Sequence, residues 1–279
     1  MDLQLQPAHT LTIEQLAALF NEAFTGYIGG EIRFTPAAFA RFLSRDDADL
    51  DYSQVFLREG QPVGFGYVAR QGWTSRLAAF GIIASASGAG VGKAAMTQMI
   101  EQARERGDRV YLLEVIEQNT RAVRLYQGVG FEIMRRLVGY AVENPPAESA
   151  DAVSPNEIDV YDAACIIVQH GAPDLPWQVA GMHLARSAPP DHAYELDQAY
   201  AIISNPAAAT IAIRGLIVPP DLRRQGRASR LLRALFAQYP DKKWVLSAIF
   251  PEEIGGELLT GFGFERQSIS QWQMRLSLV

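Results

Sequence analysis

The 279-residue chain reads as an α/β protein (α+β) in two parts, and three observations point there. Apolar, β-branched runs alternate with amphipathic helical patterns through the first half, as in a sheet covered by helices. The order strand, glycine-rich turn, helix, strand at 75–115 returns at 211–249. Between the copies, residues 143–157 form an acidic break with three prolines and no basic residue. The expected organisation is therefore an N-terminal domain at 1–142, a linker at 143–157 and a C-terminal domain at 158–279.

Taken in order, Thr10 or Thr12 can cap a helix that carries Ile13, Leu16, Leu19 and Phe20 and ends near Phe24. Residues 25–31 are too rich in glycine to be regular. Thr35-Pro36 opens a second helix, with threonine as cap and proline in the first turn. Two strands, about 52–58 and 62–69, join across Glu59-Gly60-Gln61 as a hairpin. A third strand from Ser75 to Ala84 runs into Ser87–Gly92, with glycine at 88, 90 and 92. Behind it Val91, Ala95, Met99 and Ala103 mark one face of a helix that Gly107 terminates. Val110–Val115 follows as a buried strand, apolar except for Glu114.

A glycine-rich turn entering a helix leaves backbone N–H groups unpaired at the positive end of the helix dipole, a natural site for phosphate. A tight turn without any ligand would have the same sequence. A nucleotide P-loop would need glycine at position 87 and Ser or Thr at 94, where Ser87 and Ala94 stand. A dinucleotide fingerprint starting at Gly88 and Gly90 would need a small residue where Lys93 stands. The arrangement resembles motif A of the GNAT-type N-acetyltransferases, R/Q-x-x-G-x-G/A. Gly90 and Gly92 match, and Ser87 replaces the usual Arg or Gln.

Downstream, Asn119-Thr120-Arg121-Ala122-Val123-Arg124-Leu125-Tyr126, followed by Gly130-Phe131, looks like motif B of the same family, with every consensus position filled. Its order and distance after the glycine loop make the pair more specific than either part. The resemblance implies two domains, each a mixed, mostly antiparallel twisted sheet flanked by helices, with a splayed crevice for acyl-CoA. It implies transfer of an acyl group from acetyl-CoA, or another acyl-CoA, to an amine without a covalent enzyme intermediate. The implied binding residues are Ile82, Ile83, Ser87, Gly88, Ala89, Gly90, Val91, Gly92 and Lys93, with Asn119, Ala122 and Tyr126.

The second copy carries Pro219-Pro220-Asp221-Leu222-Arg223-Arg224-Gln225-Gly226-Arg227-Ala228, where Arg223, Gly226 and Ala228 fill the motif A positions better than the first copy does. Arg223, Arg224, Gly226 and Ala228 are its implied acyl-CoA residues; a solvated helix face is the plainer reading of the arginines around them. Counting back from Gly263-Phe264 puts Leu259 at the place of Tyr126, Glu252 at that of Asn119 and Gly255 at that of Ala122. A leucine cannot donate a proton, so this copy is read as degenerate.

By the same resemblance Tyr126 is the general acid for the leaving thiolate, since a phenol with a pKa of about 10 is protonated at neutral pH. Tyr126 packed between helix and sheet is the structural alternative. Glu114, near the carboxyl end of its strand, could act as base through water, or be a carboxylate at a frayed strand end. Tyr27, Glu31 and Arg33 lie in the 25–35 loop, which in the family often shapes the acceptor pocket. A non-catalytic acyl-CoA-binding or regulatory protein is the alternative to an enzyme.

The acceptor is expected to be a small-molecule or peptide amine, and a homodimer stays open. His9, His170, His183 and His192 show no metal-ligand spacing, so no metal is expected. The net charge of −6 argues against nucleic acid as a partner. The lack of an 18-residue apolar run argues against a membrane span. No signal sequence is seen, and Cys165 stands alone, so no internal disulfide can form; a cytoplasmic location is expected.

Overall fold

The computed structural model describes residues 3–88, 90–146 and 153–279. Ala89 of the glycine loop and 147–152 of the expected linker lie outside them. The chain begins with β1 (Leu3–Pro7), α1 (Ile13–Ala23), α2 (Pro36–Arg45), β2 (Ala48–Arg58), β3 (Gln61–Gln71) and β4 (Thr74–Ile82). There follow α3 (Val91–Glu105), β5 (Val110–Ile116), α4 (Thr120–Gln127) and β6 (Glu132–Glu143). The second half contains β7 (Asn156–Ile158), α5 (Val160–His170), α6 (Gly181–Leu184), β8 (His192–Leu196), β9 (Ala199–Ile203) and β10 (Thr210–Ile217). It ends with α7 (Arg227–Gln238), β11 (Lys243–Pro251), α8 (Gly256–Thr260) and β12 (Glu265–Ser277).

Local chemistry explains the helix ends. Thr12 accepts from the Gln15 amide while the Gln15 side chain accepts from the Thr12 amide, a reciprocal cap on α1. Thr35 caps α2 with Pro36 in its first turn. Gly107, with φ of 81°, takes the left-handed conformation that stops α3.

Two compact units result: Met1–Arg135 with Gln271–Val279, and Arg136–Ser270. In the first, the strand order is β1-β2-β3-β4-β5-β12, antiparallel throughout except for the parallel β4–β5 pair. In the second it is β6-β11-β10-β9-β8-β7, again with one parallel pair, β10–β11. Each sheet thus has five strands of its own copy and a sixth from the end of the other.

This division differs from the boundary expected at 143–157. Glu143 pairs with Lys243 as the last residue of β6, and Asn156–Ile158 is a strand beside β8. Alternation along 132–143 and 265–277 identifies strands, but the sheet that receives them is a long-range choice that alternation does not encode.

In the first unit the core forms where the α3 face predicted from sequence, Val91, Ala95, Met99 and Ala103, is buried against the sheet along with Tyr111 and Leu113. An aromatic cluster fills the space around α1 and α2. Phe20 sits 4.4 Å from Phe24 and 5.3–5.5 Å from Phe34, Phe39, Phe42 and Phe65. In the second unit Leu231, Leu232, Leu235 and Phe236 of α7 pack with Trp244 of β11.

Candidate functional site

In both units the parallel pair opens into a crevice. β4 and β5 pair from Thr74↔Val110 to Leu77↔Leu113 and no further, although β4 continues to Ile82 and β5 to Ile116. β10 and β11 pair only from Thr210↔Lys243 to Ala212↔Val245. Beyond these points the facing backbone edges have no partner strand among the described residues.

At the mouth of the first crevice lies the glycine loop. Gly88 and Gly90 take φ values of 94° and 79°, which side chains strongly disfavour, and Gly90 is the N-cap of α3. A Cβ at either glycine would meet nothing within 4 Å, so it is backbone conformation that calls for glycine here. In the second unit Arg224 and Gly226 repeat these angles at 62° and 74°, and Gly226 caps α7. The two loops share left-handed backbone at these two positions as well as a motif.

The helix after each crevice ends alike. Phe131 N–H donates to Tyr126 C=O at 3.0 Å, and Phe264 N–H to Leu259 C=O at 3.1 Å, each past a glycine with positive φ. Tyr126 and Leu259 are therefore structural equivalents. Asn119 Oδ1 accepts from the Ala122 amide at 3.2 Å, the cap expected from motif B.

Sequence comparison agrees with this geometry: residues 13–131 match the sequence model of the Acetyltransferase (GNAT) family. Over those residues the chain is similar to that family. Over its full length it resembles the GCN5-related N-acetyltransferase from Sphaerobacter thermophilus, with a TM-score of 0.71 at 14% identity, covering 99% of this chain and 96% of that one. It also resembles a tandem GNAT protein from the clavulanic acid biosynthesis pathway, with a TM-score of 0.66 at 15% identity, covering 100% and 99%. At these identities the likeness shows the tandem GNAT fold. No curated protein matches the chain.

Within the first unit, Tyr126 is buried, edge-on to Phe80 at 6.3 Å and Phe131 at 6.0 Å. Burial drives its hydroxyl pKa well above the ordinary tyrosine value, and the nearby Tyr27 and Tyr111 add to the shift. Tyr27, packed edge-on against Phe24 at 4.7 Å, is likewise raised by burial. A Cβ on Gly29 would touch both the Tyr27 ring and Ile116 Cδ1, so the 25–31 turn packs on the open end of β5. The fold thus brings Tyr27 and Tyr126 to the same end of the crevice. Glu31 and Arg33 instead pair with each other at 2.8 Å, both highly exposed.

Glu114 has a different neighbourhood from the open strand end expected. Its Oε2 accepts from Arg76 Nε at 2.8 Å, and Arg76 Nη1 reaches Asp46 Oδ1 at 3.4 Å; all three side chains are at most 5% exposed. Burial alone would lower the Arg76 pKa, but the two carboxylates outweigh it and hold the guanidinium above its ordinary value. A carboxylate engaged in this way is acting as a counter-ion.

Sequence reasoning missed Arg76, Asp46 and Phe80, and it also missed Arg121. Arg121 Nη2 donates to Ser87 Oγ at 2.6 Å, linking the start of α4 to the first position of the loop. The signal available in the sequence was the absence of a cation at position 87.

The second unit has an open cleft of about 1000 Å³ lined by all four of its expected loop residues, Arg223, Arg224, Gly226 and Ala228, together with Leu259. Its arginines are mostly committed. Arg223 donates to the carbonyls of Val218 at 2.9 Å and His170 at 3.0 Å. Arg227 and Arg230 both pair with Asp197.

Among the described residues, no cluster of three or more His, Cys, Asp or Glu is placed to hold a metal. No helix among them is long and apolar enough to cross a membrane.

Proposed function

We propose that the GNAT domain of the first unit transfers an acyl group from acyl-CoA to a primary amine of a small molecule or peptide, in the cytoplasm, with Tyr126 as general acid. The observation that carries this reading is the buried Tyr126 hydroxyl, raised in pKa, beside Tyr27 at the open end of the crevice. The second unit holds Leu259 at that place, a side chain with no proton to give.

Acyl-CoA, when bound, supplies an acyl group activated as a thioester. The residues present fit it: the loop at Ser87–Lys93 offers α3 N–H groups behind two left-handed glycines, as an anion requires. The edge of β4 beyond Leu77, as far as Ile82, faces no paired strand and offers backbone groups to an extended chain. Ile83, expected to join it, is engaged: its N–H donates to Val63 C=O at 3.0 Å and its C=O accepts from Ala86 N–H at 3.1 Å. Asn119 and Ala122 fix the first turn of α4, and through it Tyr126. The amine nitrogen forms a bond to the thioester carbonyl carbon, the carbon–sulfur bond breaks, and Tyr126 O–H gives its proton to the departing sulfur. The proton shed by the amine passes to solvent and restores the phenol. Because burial favours the neutral phenol, Tyr126 keeps its proton through the neutral and mildly alkaline range. Tyr27 contributes the wall on the acceptor side, with Glu31 and Arg33 at the rim.

Tyr126→Phe removes one oxygen and leaves the ring against Phe80 and Phe131. Turnover of acetyl-CoA with a reactive amine is expected to fall about 10²–10⁴-fold, with CoA affinity unchanged. Full turnover in this variant would overturn the acid assignment.

A further inference from the structure

The two units treat the first position of the loop in opposite ways. In the second unit that position is Arg223, whose guanidinium is turned onto two backbone carbonyls. The residue equivalent to Arg121, counted from the shared Gly-Phe pair, is Ile254, an exposed hydrophobic. In the first unit the loop position is Ser87 and the helix position is Arg121, and the two are hydrogen-bonded. One copy has the cation on the loop, the other on the helix.

Three contacts fix Arg121 there. Asn119 caps α4 two residues before it, so Arg121 sits in a defined first turn. A Cβ on Gly92 would come within 3.4 Å of Leu125 Cδ2, so the first turn of α3 and the body of α4 pack closely. The bond to Ser87 Oγ then sets the guanidinium beside the glycine turn. An arginine has five N–H donors, and here one goes to Ser87 while the residue as a whole is exposed. The planar fork suits a phosphate oxygen pair.

We propose that Arg121 binds the diphosphate of the acyl-CoA at this loop, supplying from α4 the charge that Ser87 cannot, with Ser87 holding it ready. This rests on the acyl-CoA reading above. Arg121 anchors the nucleotide end of the substrate, and its neighbour Tyr126, five residues on, acts at the thioester end.

The test is calorimetric titration of the full-length chain with CoA, at several salt concentrations. Arg121→Ala and Arg121→Gln are each expected to weaken binding about 10- to 100-fold, the range for a charge-assisted hydrogen bond. Glutamine can still bond Ser87, so its loss of affinity reports the charge and not the tie between helices. The salt dependence of binding is expected to flatten in both variants. Ser87→Arg placed in the Arg121→Ala background is expected to recover most of the affinity, because it returns the cation to the loop. Wild-type affinity in Arg121→Gln, or loss that Ser87→Arg does not repair, overturns the inference. Absence of CoA binding by the wild-type chain would instead sink the acyl-CoA reading itself, so the two failures are distinct.

Discussion

Replacing Glu114 by Gln keeps the size of the side chain and removes its charge from the Asp46–Arg76–Glu114 cluster. Deleting one partner of a buried ion pair costs about 3–5 kcal/mol when the other charge is left alone. Arg76 keeps Asp46, though at 3.4 Å against 2.8 Å for Glu114, and the glutamine oxygen can still accept from Nε. The expected loss is therefore smaller, about 2–3 kcal/mol, or roughly 5–10 °C in the melting midpoint of a unit this size. Arg76→Met should be worse, because it removes the one buried cation that Asp46 and Glu114 share. The assay is thermal melting followed by steady-state turnover at a temperature where each protein is folded. Glu114→Gln should melt early and turn over within a few-fold of wild type. An unchanged midpoint, combined with a large fall in kcat and loss of the acidic limb of the kcat/KM profile, would refute the counter-ion reasoning and make Glu114 the base.

Two other outcomes are expected. Deleting Gln271–Val279 removes every partner of β5 on that edge, from Ile116 to Val110, and takes the buried Met274 and Leu276 out of the core of the first unit. The first unit should then be cleaved rapidly in limited proteolysis and lose activity, although the deletion lies far from Tyr126 in sequence; a protected, active product would contradict the shared-strand architecture. Asp108 is buried; burial alone would raise its pKa, but hydrogen bonds from Ser75, Arg70 and Arg106 hold it below the ordinary value. Its stabilisation is therefore present above about pH 4 and lost as the pH falls through the lowered value. Asp108→Asn should melt well below wild type at pH 7 and approach it near pH 3, and a gap that stays constant in melts across that range would refute the assignment.

The parts of the site that were legible in the sequence are those fixed by neighbours in the chain. Thr12, Thr35 and Asn119 cap helices through their own following residues, and Gly88 and Gly90 mark a turn that only glycine makes readily. Tyr126 was found because motif B places it on one helix face at a set distance from Gly130. The partner of Glu114 was hidden because it depends on sheet register. Arg76 lies opposite Leu112, which puts Glu114 two residues further along on the same face. Arg121 was hidden for a similar reason, since its contact with Ser87 spans two separate elements. The linker was visible as composition, but the unit boundaries follow β6 and β12, whose destinations no local pattern reveals.

The exchange of last strands has a consequence for how the protein is made. β5 leaves the ribosome more than 150 residues before the segment that completes its sheet. At about 5–20 residues per second this is an interval of roughly 8–30 s. Throughout it, the Val110–Ile116 edge presents unpaired backbone and apolar side chains, the combination that invites wrong pairing with another nascent chain. Slow translation through the second copy lengthens that exposure, and a premature stop there makes it permanent. The unit that emerges first is finished last.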